Sequence, residues 1–186
     1  MRLRAITTIA LPLSIVILDS TLHTQTNATM KDLKQPHLVI SKSKRTLEVF
    51  DGGTKIKSLK IVLGFDPKGD KETEGDGRTP EGDFVVFTKN PKSKFHLSLG
   101  VSYPGKEDAI RGLKQNLISQ EEHDEIIAAI AEQRMPLQKT KLGGEIYIHG
   151  GGTASDWTDG CVALDDQQMT ELFDAIPVGA KVTILP

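Results

Sequence analysis

Apolar and polar side chains alternate along His37–Ser41 and again along Arg45–Phe50, and the second run stops at Asp51-Gly52-Gly53. A period of two puts successive side chains on opposite faces of an extended strand, so these runs read as strands with one face buried. The Asp-Gly-Gly turn folds the chain back, and Ile56, Leu59, Ile61 and Leu63 carry the return strand, giving a hairpin over 37–50 and 54–63. Phe84–Phe87, Phe95–Val101, Glu145–His149 and Lys181–Leu185 add further strands. Helical spacing is confined to three places. Asp108 is placed to cap a short segment reaching about Leu117. Ser119-Gln-Glu-Glu122 is a capping box ahead of Ile126, Ile127 and Ile130, with Pro136 closing that helix. Asp165-Asp-Gln-Gln168 caps a last helix bearing Met169, Leu172, Phe173 and Ile176. No internal repeat is found. The pattern predicts a β-rich α+β domain with a few short helices.

The chain has 186 residues, enough for one main domain with its own core. With 38% hydrophobic and 26% charged residues it falls outside the disordered and fibrous classes. A formal net charge of −2 gives no electrostatic reason to expect nucleic acid as a partner. Residues 1–29 read as a separate segment. Met1-Arg2-Leu3-Arg4 is basic, Ala5–Leu18 is uncharged and mostly apolar, and polar residues follow from Asp19. That order describes a signal peptide, since a spanning helix needs about 20 apolar residues. No small-x-small site precedes Asp19, so an uncleaved anchor is the other reading, and would be the chain's one tie to a membrane. No cysteine stands near the end of the apolar run for lipoprotein processing. The expectation is an exported protein of the periplasm or cell envelope.

Cys161 is the only cysteine. Exported proteins usually carry cysteines in pairs, so an unpaired thiol is either deeply buried or chemically employed. A redox role would need a partner cysteine, and there is none. The neighbours favour chemistry. His149 ends a strand and is followed by Gly150, Gly151 and Gly152; Cys161 follows Gly160 and precedes the apolar run Val162-Ala163-Leu164, which is read as entering a helix. A thiol nucleophile needs a base within reach and donors for a developing oxyanion. The loop between the two residues is long enough to bring them together, and the N–H groups of Gly160 and Cys161 are natural oxyanion donors. Glycine before the nucleophile also lets substrate approach the backbone.

Ile148-His149-Gly150 followed by Thr158-Asp159-Gly160-Cys161-Val162-Ala163-Leu164 resembles the signature of YkuD-type L,D-transpeptidases. The resemblance extends over residues 37–186. It includes Leu63-Gly64, the run Gly75-Asp76-Gly77-Arg78-Thr79-Pro80-Glu81-Gly82, Phe95-His96-Leu97-Ser98, Val101-Ser102-Tyr103-Pro104 and Pro177-Val178-Gly179. The fold it implies is a β-sandwich with the cysteine and histidine at the mouth of a groove. The activity it implies is acyl transfer on peptidoglycan stem tetrapeptides, without metal or other cofactor. Cys161 takes the nucleophile position and His149 the imidazole position, with a carbonyl such as that of Gly150 orienting the ring. The acyl group would pass to an amine on a second stem, to an amine-bearing protein, or to water; a binding module without catalysis is the reading from another class.

Three positions depart from the family pattern. Thr158-Asp159 stands where Ser-His is common, and Ala163 where Arg is common. The departures remove groups that could meet substrate carboxylates, and Asp159 is expected to raise the thiol pKa. Asp156 and Trp157 are read as a lid, with Trp157 either stacking on substrate or anchoring the loop. Thr158, Asp159, Trp157, His96 and Arg78 are the candidate substrate contacts. His96 alternatively serves as a satisfied structural histidine. Gly64–Gly82 has no hydrophobic pattern and is expected to be a long surface loop. Its acidic residues Asp70, Glu72, Glu74, Asp76 and Glu81 have spacings reminiscent of a calcium loop, but Pro80 interrupts it and no helices flank it. They are read as solvated acids, with Arg78 and Thr79 bracing the loop near the groove.

Overall fold

A computed structural model describes residues 30–186 of the chain; the leader expected over 1–29 lies outside the described residues. Eight strands form one sheet: β1 (Pro36–Ser41), β2 (Thr46–Asp51), β3 (Thr54–Lys60), β4 (Gly82–Ser93), β5 (His96–Val101), β6 (Tyr147–His149), β7 (Val162–Ala163) and β8 (Lys181–Leu185). Their order across the sheet is β3-β2-β1-β8-β4-β5-β6-β7. The hairpin expected around Asp51-Gly52-Gly53 is the β2–β3 pair, and β1 pairs antiparallel with β2 in register from Pro36 opposite Asp51 to Ser41 opposite Thr46. The closing strand β8 inserts between β1, to which it runs parallel, and β4, to which it runs antiparallel.

The sheet curls. Val62, just beyond β3, exchanges both backbone hydrogen bonds with Ala163 in β7, so the two ends of the strand order meet. The inward face of this curl holds Leu38, Ile40, Leu47, Val49, Leu99, Val101, Ile146, Ile148, Val182 and Ile184 in one apolar core. Alternation along β1 and β2 fills it as the period of two requires. Three helices complete the domain: α1 (Lys106–Lys114), α2 (Gln120–Ala131) and α3 (Asp166–Ala175). Met169 and Leu172 of α3 enter the main core, while Ala109, Ile118, Ile126 and Leu142 form a small second cluster under α1 and α2. The fold is the β-rich α+β sandwich expected from the sequence. No helix of the described residues is long and apolar enough to cross a membrane.

Local expectations hold at α2, where Ser119 Oγ accepts from Glu122 N–H and the Glu122 carboxylate accepts from Ser119 N–H. They fail in three places. At α1 the N-cap is Gly105, and Asp108 sits one turn inside, its carboxylate reaching back to Gly105 N–H at 2.8 Å. The run Val162-Ala163 is not a helix entrance but a strand, because its N–H and C=O groups pair with β6 and Val62. α2 stops at Ala131, five residues short of Pro136, when its last N–H groups turn to the carbonyls of Ala128 and Ile130.

Candidate active site

β6 and β7 run parallel, with Ile148 opposite Val162 and His149 opposite Ala163. That register sets Cys161 beside Tyr147, two positions before His149, so thiol and imidazole project from the same face of the sheet. The sheet register, rather than the intervening loop alone, sets the two residues of the expected pair on neighbouring strands.

His149 is fixed and dry. It is 3% exposed, and its Nδ1 lies 2.6 Å from the Gly150 carbonyl, the orienting group anticipated from the sequence. A carbonyl can only accept, so Nδ1 carries the proton and Nε2 keeps its lone pair. Phe95 stacks on the ring at 4.8 Å, and Trp157 meets it edge-on at 5.5 Å. Burial lowers the pKa of the ring below its ordinary value, against the opposing pull of the Gly150 carbonyl. The ring is a neutral base at neutral pH.

Cys161 is half-buried, and its sulfur accepts from Tyr147 N–H at 3.4 Å and donates toward the Glu145 carbonyl at 3.6 Å. Among the described residues there is no Cys161–His149 hydrogen bond, a contact that free enzymes often make only once substrate is bound. Burial pushes the thiol up to about 11; Tyr147 N–H pulls it down, and Asp159 pushes it up as expected. Thiol and imidazole are therefore both uncharged at rest. Among the described residues Cys161 N–H has no hydrogen-bond acceptor, and Gly160 N–H has Thr158 Oγ1 at 3.3 Å.

The other candidates are placed unevenly. Thr158 is buried, donating to the Cys161 carbonyl at 2.7 Å, and so shapes the turn rather than facing a ligand. Asp159 is exposed beside the thiol. Trp157 donates Nε1–H to the Gly152 carbonyl at 3.3 Å and packs edge-on against Phe95 at 5.1 Å, so it anchors its loop while covering His149. Asp156 is no part of a lid: its carboxylate binds Arg45 Nη2 at 2.7 Å and Leu63 N–H at 2.9 Å, away from the site. His96 Nε2 lies 2.8 Å from Thr170 Oγ1 on α3, the structural histidine of the two readings. Arg78 binds Asp66 at 3.1 Å, and Thr79 Oγ1 reaches the Cys161 carbonyl at 3.5 Å, so the two brace the loop against the site.

The loop before β4 is only in part the solvated acidic segment expected: Glu72 and Glu74 are exposed, but Asp70, Asp76 and Glu81 are bound to cations. Two lysines, each 2% exposed, run through it. Lys42 donates to the Thr79 carbonyl at 2.8 Å and to Glu81 at 2.9 Å, and Lys71 donates to Asp76 at 2.8 Å. Asp70 binds Arg111 at 2.9 Å. These acids are consumed by separate cations, and among the described residues no three carboxylates, imidazoles or thiols converge on a point where a metal would sit. The sequence reading missed Phe95 as the face of His149, although it adjoins His96 in a quoted motif. It also missed Asp166, whose Oδ1 accepts from Gly151 N–H at 2.8 Å and fixes the glycine turn after the histidine.

A curled sheet that presents one thiol, one neutral imidazole on the neighbouring strand and one unpartnered backbone N–H has parts that a cysteine acyl-transfer site would use. The sequence pattern of the YkuD family, the L,D-transpeptidase catalytic domain, matches residues 35–184, and the chain belongs to that family. No curated protein matches it significantly. Among solved structures it is similar to the helical cell shape determining protein Pgp2 of Campylobacter jejuni, at 22% identity and TM-score 0.57, covering 82% of this chain and 48% of that one. It is also similar to Bd1075 of Bdellovibrio bacteriovorus, at 20% identity and TM-score 0.53, again over 82% of this chain and 48% of that one. The chain thus spans about half the length of these structures, and the likeness is one of fold.

Proposed function

We propose that this chain is a cysteine acyltransferase of the bacterial cell envelope, an L,D-transpeptidase that acts on peptidoglycan stem tetrapeptides. The observation that carries the reading is the state of His149: buried, oriented through Nδ1 by the Gly150 carbonyl, and so left with a basic Nε2 on the face that bears Cys161. With burial raising the thiol to about 11, little resting thiolate is present near neutral pH, and attack calls for that base.

The sulfur attacks the carbonyl of the third stem residue as its proton passes to His149 Nε2. The carbonyl oxygen takes the displaced electron pair and is met by Cys161 N–H, aided by Gly160 N–H. Collapse breaks the bond to the terminal D-alanine, whose amine leaves with the proton from the imidazolium. An amine of a second stem, or of a protein, then attacks the thioester and gives its proton to His149, releasing the thiol and joining the two chains. Export through the leader at 1–29 would place the protein where this substrate is.

Intact mass spectrometry of the protein mixed with a disaccharide-tetrapeptide tests the reading. The expected result is an acyl adduct on the wild type with release of D-alanine, and none on Cys161→Ala. Cross-linked dimers among the products mark transpeptidation, and shortened tripeptides mark transfer to water. No adduct and no product across several pH values and stem peptides would overturn the proposal.

A further inference from the structure

Beyond the thiol and imidazole, the least expected group is an ammonium held out of water in the loop that packs on the backbone around the thiol. Lys71 donates to the Thr73 carbonyl at 3.0 Å and to Asp76 Oδ1 at 2.8 Å. Asp76 also accepts the backbone N–H groups of Glu72, Thr73 and Arg78 at 2.7, 3.0 and 3.0 Å. Burial alone would raise this carboxyl, but the Lys71 bond and the three N–H groups outweigh it and hold it below the ordinary range. Burying an ion pair costs about as much as it returns, so stability alone is a poor reason to keep one. An apolar side chain would brace the loop as well.

The pair is built against both backbone segments that hold the sulfur. Lys71 Cε lies 3.3 Å from where a Cβ on Gly143 would stand, and Glu74 N–H donates to the Lys141 carbonyl at 2.9 Å. The loop therefore packs on residues 141–145, whose end carries the Glu145 carbonyl that faces the thiol. On the other side Asp76 binds Arg78 N–H, and the Arg78 carbonyl lies 2.7 Å from where a Cβ on Gly160 would stand, one residue before Cys161. Among the charges that act on the sulfur, Asp159 and Glu145 oppose its ionisation and Lys71 favours it.

We propose that Lys71 is a positioning residue that supplies the positive charge steadying the thiolate as it forms at Cys161, with Asp76 setting how much of that charge the sulfur feels. The inference rests on Cys161 as the reacting group, but its test needs no peptidoglycan substrate, so failure of acyl transfer would leave it readable. The experiment is the pH dependence of iodoacetamide alkylation of Cys161 in the purified full chain, with thermal melts alongside. Lys71→Met should alkylate roughly three- to tenfold more slowly at pH 8, and Lys71→Arg should recover most of the rate. Asp76→Asn should act in the opposite sense and alkylate faster, because the ammonium is then uncompensated. A brace without an electrostatic role would leave the Lys71→Met profile on the wild-type curve, or move both variants in the same direction; either result overturns the proposal. If Lys71→Met does not fold, the variant neutral at both positions (Lys71→Met with Asp76→Asn) decides the matter. It should alkylate more slowly than Asp76→Asn alone, and equal rates overturn the proposal.

Discussion

His149 and Cys161 project from one face of the sheet, yet the molecule holds them by opposite means. The histidine lies inside a strand, its backbone in the β5–β6–β7 ladder, its ring clad by Phe95 and Trp157 and tethered at Nδ1. The cysteine lies at the end of a turn. Gly160 precedes it at φ +121°, and the hydroxyls of Thr158 and Thr79 grip its carbonyl, while its own amide stays free. The histidine is held and kept neutral by apolar packing, and the cysteine's turn is held by polar contacts to bare backbone, which suits the base and the nucleophile proposed for them. The difference fits their tasks, since a base must keep one tautomer and a nucleophile must admit substrate and its oxyanion.

The largest effect should come from breaking the rigid half. With the thiol at about 11 there is little thiolate for His149→Ala to fall back on. Acylation by a stem tetrapeptide should slow by about 10²–10⁴, the usual worth of general-base help. Stopped-flow or single-turnover mass spectrometry would measure it. A loss below about tenfold would mean that the sulfur ionises without the imidazole, and the two halves would not be working as a pair.

The approachable half should break through its backbone. In Gly160→Ala the new Cβ would stand 2.7 Å from the Arg78 carbonyl, on a residue whose φ of +121° suits glycine alone. Strain of this kind costs about 1–3 kcal/mol, so the urea midpoint should fall while the urea dependence of the unfolding free energy stays constant. Acylation should fall as well, because relieving the clash moves the Cys161 amide. Unaltered stability would show that the loop carrying Arg78 yields easily and does not define the turn.

How legible these halves were in the sequence follows the same division. The strand alternation and the Ser119–Glu122 box rest on local spacing, and the chain writes them in order. What escaped notice is carried by contacts across long separations. Thr158 and Asp156 look like pocket residues beside Cys161, but one folds back on the Cys161 carbonyl and the other reaches Arg45. Lys42 and Lys71 carry no local sign of burial, since lysine is almost always exposed. Only the closure of the sheet, which brings Gly64 against Thr158 and Thr79 against Cys161, puts their loop over the core. Phe95 belonged to a quoted motif, but nothing local says that a hairpin tip covers a histidine in another strand.

That cover is the subject of the smallest and most diagnostic change. Phe95 is itself 42% exposed, so Phe95→Ala should cost little stability while admitting water to the His149 ring. Burial is what lowers the pKa of the ring from its ordinary 6.5, so the variant's value should rise back toward that number. The proposed acyl transfer uses the unprotonated ring, and the acidic limb of the rate–pH profile should therefore move to higher pH. The rate should drop a few-fold at pH 6 and stay within about twofold at pH 8. Stability carries the matching sign. In the wild type, as pH falls below 6.5 the unfolded chain takes up a proton that the native ring refuses, so folding weakens toward acid. Phe95→Ala should flatten that slope, and urea unfolding at pH 5 and pH 7 would show it. If neither the rate profile nor the slope moved, Trp157 and the sheet alone would account for the low pKa, and the hairpin tip would have no part in holding the base neutral.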